Sequence, residues 1–259
     1  MTSSISLQHN QTQPVLAMHQ VSKLYGEGSG RVAALDEVSV AIPRGGFTAI
    51  MGPSGSGKST FMNVAAGLDD ATSGEVVLAG QPLSKLGDEG RTVLRREQVG
   101  FVFQAFNLVP TLSALENILL PFDLAGRKVT AEQRQWIDQL VHTLGLAERI
   151  DHRPSELSGG QQQRVAIARA LASQPAIIFA DEPTGNLDSR SSREVLTLLR
   201  TASREYGQTI AMVSHDPVAA SYADRILVIA DGRIVGDHGP LTPQQISDLL
   251  IGFEIGAPA

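Results

Sequence analysis

Gly52, Gly57, Lys58 and Ser59 stand at the spacing G-x-x-x-x-G-K-[ST], within the run Gly52-Pro53-Ser54-Gly55-Ser56-Gly57-Lys58-Ser59-Thr60. These residue types suit one task, the holding of a polyphosphate. Glycines let backbone N–H groups turn inward with no Cβ in the way, and a helix starting where the loop ends adds partial positive charge. Lys58 would reach the β- and γ-phosphates, and the Ser59 hydroxyl would ligate Mg²⁺. Further along, the apolar run 176–180 ends in two carboxylates, Asp181 and Glu182. The ends of buried strands at the edge of an α/β sheet are where ligands bind. Asp181 suits an outer ligand of Mg²⁺, and Glu182 suits a base that polarises or deprotonates an attacking water.

The elements that must carry these groups are legible in the hydropathy pattern. An apolar run at 47–51 precedes the loop and a helix-like run at 61–68 follows it, the strand, loop and helix context that the motif requires. Runs at 15–21, 32–42 and 74–80 predict further strands, so the N-terminal third is strand-rich. Residues 83–98 are polar with charged clusters, and 99–103 returns to strand character before a long helical region. Within 130–144, Ile137, Leu140, Val141 and Leu144 fall at i, i+3, i+4 and i+7, and Thr130 with Gln133 forms a capping-box pattern. Residues 158–172 also predict a helix. Strands follow at 177–180, 209–213 and 226–229, with a helix containing Val195, Leu198, Leu199 and Ala202 between them. Thr242, Pro243 and Gln245 would open a last short helix. Alternating strands and helices at both ends predict a parallel α/β core interrupted by a helical insertion.

Composition narrows the class. With 259 residues, 42% hydrophobic and 19% charged, the chain can bury a substantial core as one globular unit. Its longest apolar stretches, 176–180 and 226–230, have strand length and are far too short to cross a bilayer. Residues 1–14 are polar and lack an apolar signal core, which predicts a disordered leader on a cytoplasmic protein. The absence of cysteine excludes disulfides and thiolate metal sites. A net charge of −6, with Lys23, Lys58, Lys85 and Lys128 as the only lysines, argues against a nucleic-acid partner.

Taken with Gln104, Leu157-Ser158-Gly159-Gly160-Gln161, Gly185-Asn186-Leu187-Asp188 and His215, these residues resemble the ATP-binding subunit of ABC transporters in order and spacing over about residues 15–236. The resemblance implies an α/β fold of the P-loop NTPase class. It has a RecA-like parallel sheet core, an N-terminal antiparallel β subdomain, and a helical subdomain inserted at about 104–172. Residues 15–236 would form that single domain, with a leader at 1–14 and a short tail with a terminal helix at 237–259. ATP and Mg²⁺ are the implied cofactors. Tyr25 would stack on adenine, Gln104 would sense Mg²⁺ and the attacking water, and His215 would hold the γ-phosphate. Asp188 would belong to a loop at the dimer contact. Leu157 to Gln161 would act on ATP bound by a second copy, since a Ser-Gly-Gly turn at a helix N-terminus offers unobstructed N–H donors to an anion.

The segments 24–28, 103–108, 110–117 and 181–188 resemble, more narrowly, the lipoprotein-release and macrolide-export group, whose members pair with permeases carrying large extracytoplasmic domains. The resemblance implies a homodimer in the ATP state, a separate integral membrane permease as partner, and a place on the cytoplasmic face of the cell membrane. Gln162 and Gln163 stand where many relatives carry a charged residue. Phe106, Leu108, Val109 and Leu112, beside Asn107 and Glu116, mark a candidate docking surface for the permease. A P-loop GTPase is disfavoured because guanine recognition uses [NT]-K-x-D, and no lysine here has an Asp two residues later. The alternative reading is a non-transport ABC ATPase of the iron–sulfur assembly or cell-division type.

Overall fold

The computed structural model describes residues 13–26 and 28–255, so nearly all of the leader expected at 1–14 lies outside the described residues. Strands β1 (Leu16–Tyr25) and β2 (Val32–Ile42) pair antiparallel, and β3 (Phe47–Met51) leads through the glycine-rich loop into α1 (Lys58–Ala65). β4 (Ser73–Leu78) pairs antiparallel with the other side of β1, and the short β5 (Gln81–Pro82) completes a sheet of order β2-β1-β4-β5. Next come α2 (Asp88–Gln98), β6 (Val99–Phe103) and the helices α3 (Ala114–Leu124), α4 (Ala131–Thr143) and α5 (Gly159–Ala172). The chain then alternates through β7 (Ile177–Asp181), α6 (Ser189–Tyr206), β8 (Ile210–Val213), α7 (Pro217–Ala220) and β9 (Arg225–Ala230), ending with β10 (Arg233–His238) and α8 (Pro243–Ile255). The second sheet has the order β10-β9-β3-β8-β7-β6 and is parallel except for the antiparallel edge strand β10.

Strand residues in this sheet are apolar at consecutive positions because both faces are covered. In β7, Ile178 and Ala180 face a core shared with α3 to α6, while Ile177 and Phe179 face the opposite core shared with α1 and the antiparallel sheet. Successive side chains point to opposite faces, so one strand serves both cores. Phe61, Met62, Val64 and Ala65 of α1 are buried in the second core, which fixes the helix that carries Lys58 between the two sheets. The caps at Thr130 and Thr242 form as their sequences predict, each side chain accepting from the backbone N–H three residues on.

Two elements lie where periodicity gave no signal. In α2 only Leu94 is buried, so hydrophobic pattern is nearly absent. Its signal is charge order instead, with Asp88 and Glu89 in the first turn and Arg95 and Arg96 in the last, which complements the helix dipole. β10 follows a two-residue Asp231-Gly232 turn with φ of 49° and 73°, the conformation that matches strand twist in tight hairpins. Among the described residues no helix is long and apolar enough to cross a membrane.

Candidate active site at the strand ends

Sheet register brings the candidate residues together. Ile50 pairs with Val213, Val213 with Asp181, and Asp181 with Phe103, so β3, β8, β7 and β6 end level with one another. The residues just beyond those ends are Gly52, Ser214 and His215, Glu182, and Gln104. The ladder continues past the strands, with Glu182 N–H donating to Val213 O at 2.9 Å and Ser214 N–H donating to Ile50 O at 3.2 Å.

The loop after β3 is shaped for close approach. Gly52 has φ 149°, and a Cβ there would stand 1.9 Å from Ile229 O; Gly57 has φ 104°, and its Cβ would stand 2.2 Å from Ala34 O. No other residue fits at either position. Ser56 Oγ is buried with no hydrogen-bond partner. Lys58 Nζ curls over the loop and donates to Gly52 O at 2.9 Å and Pro53 O at 2.7 Å. Burial lowers its pKa, opposed by the charges of Glu182 and Asp181. Irreplaceable glycines, an orphaned buried hydroxyl, and a cation at a helix N-terminus together make a cradle that fits a polyphosphate. The groups that would ligate Mg²⁺ there are the Ser59 hydroxyl, the Asp181 carboxylate and the Gln104 side chain. That small set suits a cation that keeps waters and phosphate oxygens among its ligands, and no cluster of three His, Cys, Asp or Glu side chains arranged for a metal occurs among the described residues.

Burial first, then the neighbouring Glu182 charge, push the Asp181 carboxyl above its ordinary range, with Lys58 opposing. Glu182 has φ 44°, a left-handed conformation that costs a non-glycine residue about 1–3 kcal/mol and recurs at functional positions. Its Oε1 lies 2.8 Å from His215 Nδ1. Gln104 Nε2 donates to Asn186 Oδ1 at 3.0 Å, and Asn186 Nδ2 donates back to Gln104 O at 3.1 Å. Gln104, Glu182, Gly185, Ser214 and His215 share one cavity of about 460 Å³.

The Leu157 to Gln161 segment is placed differently. Ser158 caps α5: Gln161 N–H donates to Ser158 Oγ at 3.3 Å, and Ser158 N–H donates to Gln161 Oε1 at 2.8 Å. Gln162 N–H goes to Ser158 O, which leaves the N–H groups of Gly159 and Gly160 at the helix start. The close neighbours of these glycines are Leu187, Phe106 and Ser191. Asp188 caps α6, its Oδ1 accepting from the N–H groups of Arg190 and Ser191. Tyr25 closes β1 with its side chain well exposed.

Gln163 carries more than its sequence position suggests. It is fully buried, and its Nε2 donates to Phe103 O and Pro183 O, the residues just before Gln104 and just after Glu182. A glutamine on the apolar face of α5, four residues before the buried Ile167, is the signal that could have found it. In the surface expected at Phe106 to Leu112, Phe106, Leu108, Val109 and Leu112 are each partly exposed. Leu108 packs against the main core, and the fully buried Asn117 ties down the loop, accepting from Val109 N–H and donating to Val109 O and Leu112 O. The apolar groove lies beside it, a cavity of about 580 Å³ lined by Phe101, Phe103, Leu120, Pro121 and Leu124, with Asn107 and three arginines, Arg95, Arg96 and Arg169.

Comparison with known proteins settles the family. The ABC transporter family model matches residues 35–185. The chain belongs to the ABC transporter ATP-binding family. An uncharacterized ABC transporter ATP-binding protein, YbbA of Escherichia coli K12, is 47% identical over 220 residues, which span 85% of this chain and 96% of that protein. The macrolide export ATP-binding/permease protein MacB of Hyphomonas neptunium is 46% identical over 228 residues, 88% of this chain but 35% of that protein. The ATP-binding cassette MJ0796, solved as a dimer in a post-hydrolysis state bound to ADP and Pi, superposes with a TM-score of 0.77 at 41% identity, covering 87% of this chain and 99% of that one. This ABC cassette is therefore a P-loop ATPase of a transporter, and its relatives favour that role over iron–sulfur assembly or cell division.

Proposed function

We propose that two copies of the chain close around two Mg·ATP and that each site is built from both copies. Lys58 and the loop N–H groups, Gly52 to Thr60, hold the β- and γ-phosphates of one nucleotide. Ser59, Asp181 and Gln104 would hold Mg²⁺, which would offset phosphate charge when bound. Glu182 takes a proton from the attacking water, His215 orients Glu182 and meets the γ-phosphate, and Gln104 reads the state of the site. Ser158 to Gln161 of the other copy cap that γ-phosphate from outside, with Asp188 at the contact between copies. The observation that carries this reading is the level register of β3, β8, β7 and β6, which collects the loop, both carboxylates, His215 and Gln104 at one edge. The signature glycines lie instead against Leu187, Phe106 and Ser191 of their own chain, outside the group of residues at that edge.

The chain would act on the cytoplasmic face of the cell membrane and drive an integral permease carried on a separate chain, of the macrolide-export or lipoprotein-release type. The YbbA relative supports a separate permease, since nearly its whole length matches, and the MacB relative supports the export type. The groove lined by Phe101, Leu120 and Leu124 suits the apolar face of a permease helix. A mixing experiment tests the shared site. Lys58→Ala and Ser158→Arg chains should each be inactive alone and regain ATPase activity when mixed, because the mixed dimer has one intact site. Full activity of Ser158→Arg by itself would refute the composite site.

A further inference from the structure

We propose that Lys23 and Asp69 are positioning residues for the nucleotide base, fixing the ring of Tyr25 as a one-sided platform tied to the helix of the phosphate loop. The inference rests on the reading of Tyr25 as the residue that stacks on adenine. Tyr25 is 43% exposed at the end of β1, where an untethered phenol ring would be free to change rotamer. It is tethered. Its hydroxyl donates to Asp69 Oδ2 at 2.6 Å. Lys23 Nζ donates to the other oxygen, Asp69 Oδ1, at 2.6 Å and to Asp70 O at 2.8 Å. The same ammonium lies 4.9 Å from the Tyr25 ring centroid, a cation–π distance. One carboxylate thus holds both the ring and the cation that covers one of its faces, leaving the other face for a base.

The tether also has a reference point. Asp69 N–H donates to Asn63 O at 3.2 Å, and Asn63 belongs to α1, whose first residue is Lys58. Leu24 N–H donates to Thr72 Oγ1 at 3.0 Å, fixing the backbone between Lys23 and Tyr25 to the same connection. The base platform and the phosphate loop are therefore held at a set separation through one short segment. Burial pushes the Asp69 carboxyl up, but hydrogen bonds from Lys23 and Tyr25 outweigh it and bring its pKa below the ordinary value, so it stays an acceptor for both. Preorganising the ring favours binding of anything that stacks on it and does nothing for a ligand without a base.

The test measures affinity for Mg·ATP and for Mg·tripolyphosphate, which lacks base and sugar, together with kcat at saturating ATP. Tyr25→Ala, which removes the platform, should weaken ATP binding by about 5- to 150-fold, the range for losing one stacked base. Asp69→Ala and Lys23→Ala should weaken it by about 3- to 10-fold, leaving tripolyphosphate affinity and kcat within about twofold, and Tyr25→Phe should weaken ATP binding by a similar factor. Asp69→Asn, which keeps an acceptor for the tyrosine hydroxyl, should recover part of the loss. In a Tyr25→Ala background, Asp69→Ala should add less than about twofold, because the ring it positions is gone. Equal losses for ATP and tripolyphosphate, additive losses in the Tyr25→Ala background, or no loss from Asp69→Ala would overturn the inference. Unchanged ATP affinity in Tyr25→Ala itself would instead remove the reading of Tyr25 on which it rests.

Discussion

Asp181 and Glu182 are adjacent in sequence, yet the strand's end gives them different work. Asp181 completes β7 and is half-buried, and burial and the Glu182 charge raise its pKa. A carboxyl whose pKa is higher in the folded than in the unfolded chain destabilises the fold at neutral pH. That penalty is lost as pH falls through the raised value to below the unfolded one. Asp181→Asn should therefore raise the Tm of the nucleotide- and metal-free protein near pH 7, with the gain fading below about pH 4, where the unfolded carboxyl is also protonated. Calorimetry across that pH range reads it, and a Tm gain independent of pH would contradict the assignment. Glu182→Gln keeps size and backbone but cannot accept the water's proton, so turnover should fall by about 10²- to 10⁴-fold while ATP binding persists. Size-exclusion chromatography with ATP and Mg²⁺ should then show an accumulated dimer. Wild-type turnover in this variant would remove Glu182 from the role of base.

At the scale of elements, α5 does two things at once. Its N-terminus is capped by the exposed Ser158, while Gln163, one turn on, reaches inward to the carbonyls that flank Gln104 and Glu182. A rigid helix thus ties the segment proposed to face a second copy to the segments proposed to hold the attacking water. Gln163→Met conserves volume but leaves Phe103 O and Pro183 O without this donor, at about 1–3 kcal/mol per unsatisfied buried group. The Tm should fall by several degrees, about 2–4 °C per kcal/mol in a chain of this size, and kcat should fall more than ATP affinity does. A variant that melts lower but turns over at the wild-type rate would reduce Gln163 to a packing role. The strained Phe106 and Asn107, at φ 60° and 49°, are held by the same helix, since the Arg169 guanidinium donates to both of their carbonyls.

For the whole molecule, the helices α3 to α5 share one core with the parallel sheet, so the groove between Phe101 and Leu124 is bounded by both. The proposed nucleotide contact at Gln104 and the proposed permease contact in the groove would then act on adjoining segments, which is what coupling between two sites requires. Leu124 is 68% exposed at the groove's edge, so Leu124→Asp should leave the fold and ATP affinity intact while lowering co-purification with the permease by about tenfold or more. Leu108→Asp, by contrast, places a charge against the core and should destabilise the chain first. Pull-down from detergent-solubilised membranes, paired with thermal melts, separates the two, and retained permease binding in a folded Leu124→Asp protein would relocate the docking surface.

Chemistry that depends on contiguous backbone was readable from the sequence. The loop at 52–60, the carboxylates at a strand end and the Ser-Gly-Gly turn at 158–160 each act within about ten residues, so their spacing is itself the geometry, and apolar strand runs and helical periodicity marked most of the elements around them. Where burial did not pattern the residues, the sequence was silent. The charge-ordered α2 and the edge strand β10, half-exposed after its Asp231-Gly232 turn, were visible only once folded. Other features depend on which strands are neighbours. The register that levels Gly52, Glu182, His215 and Gln104, the reach of Gln163 to Pro183 and the tether of Tyr25 to Asp69 all join residues far apart in the chain. So does the apolar groove beside Asn107, which joins Phe101, Leu124 and Arg169. A one-dimensional pattern records which face a residue prefers; which distant partner meets that face is decided by sheet order and packing, and only the tertiary structure holds both.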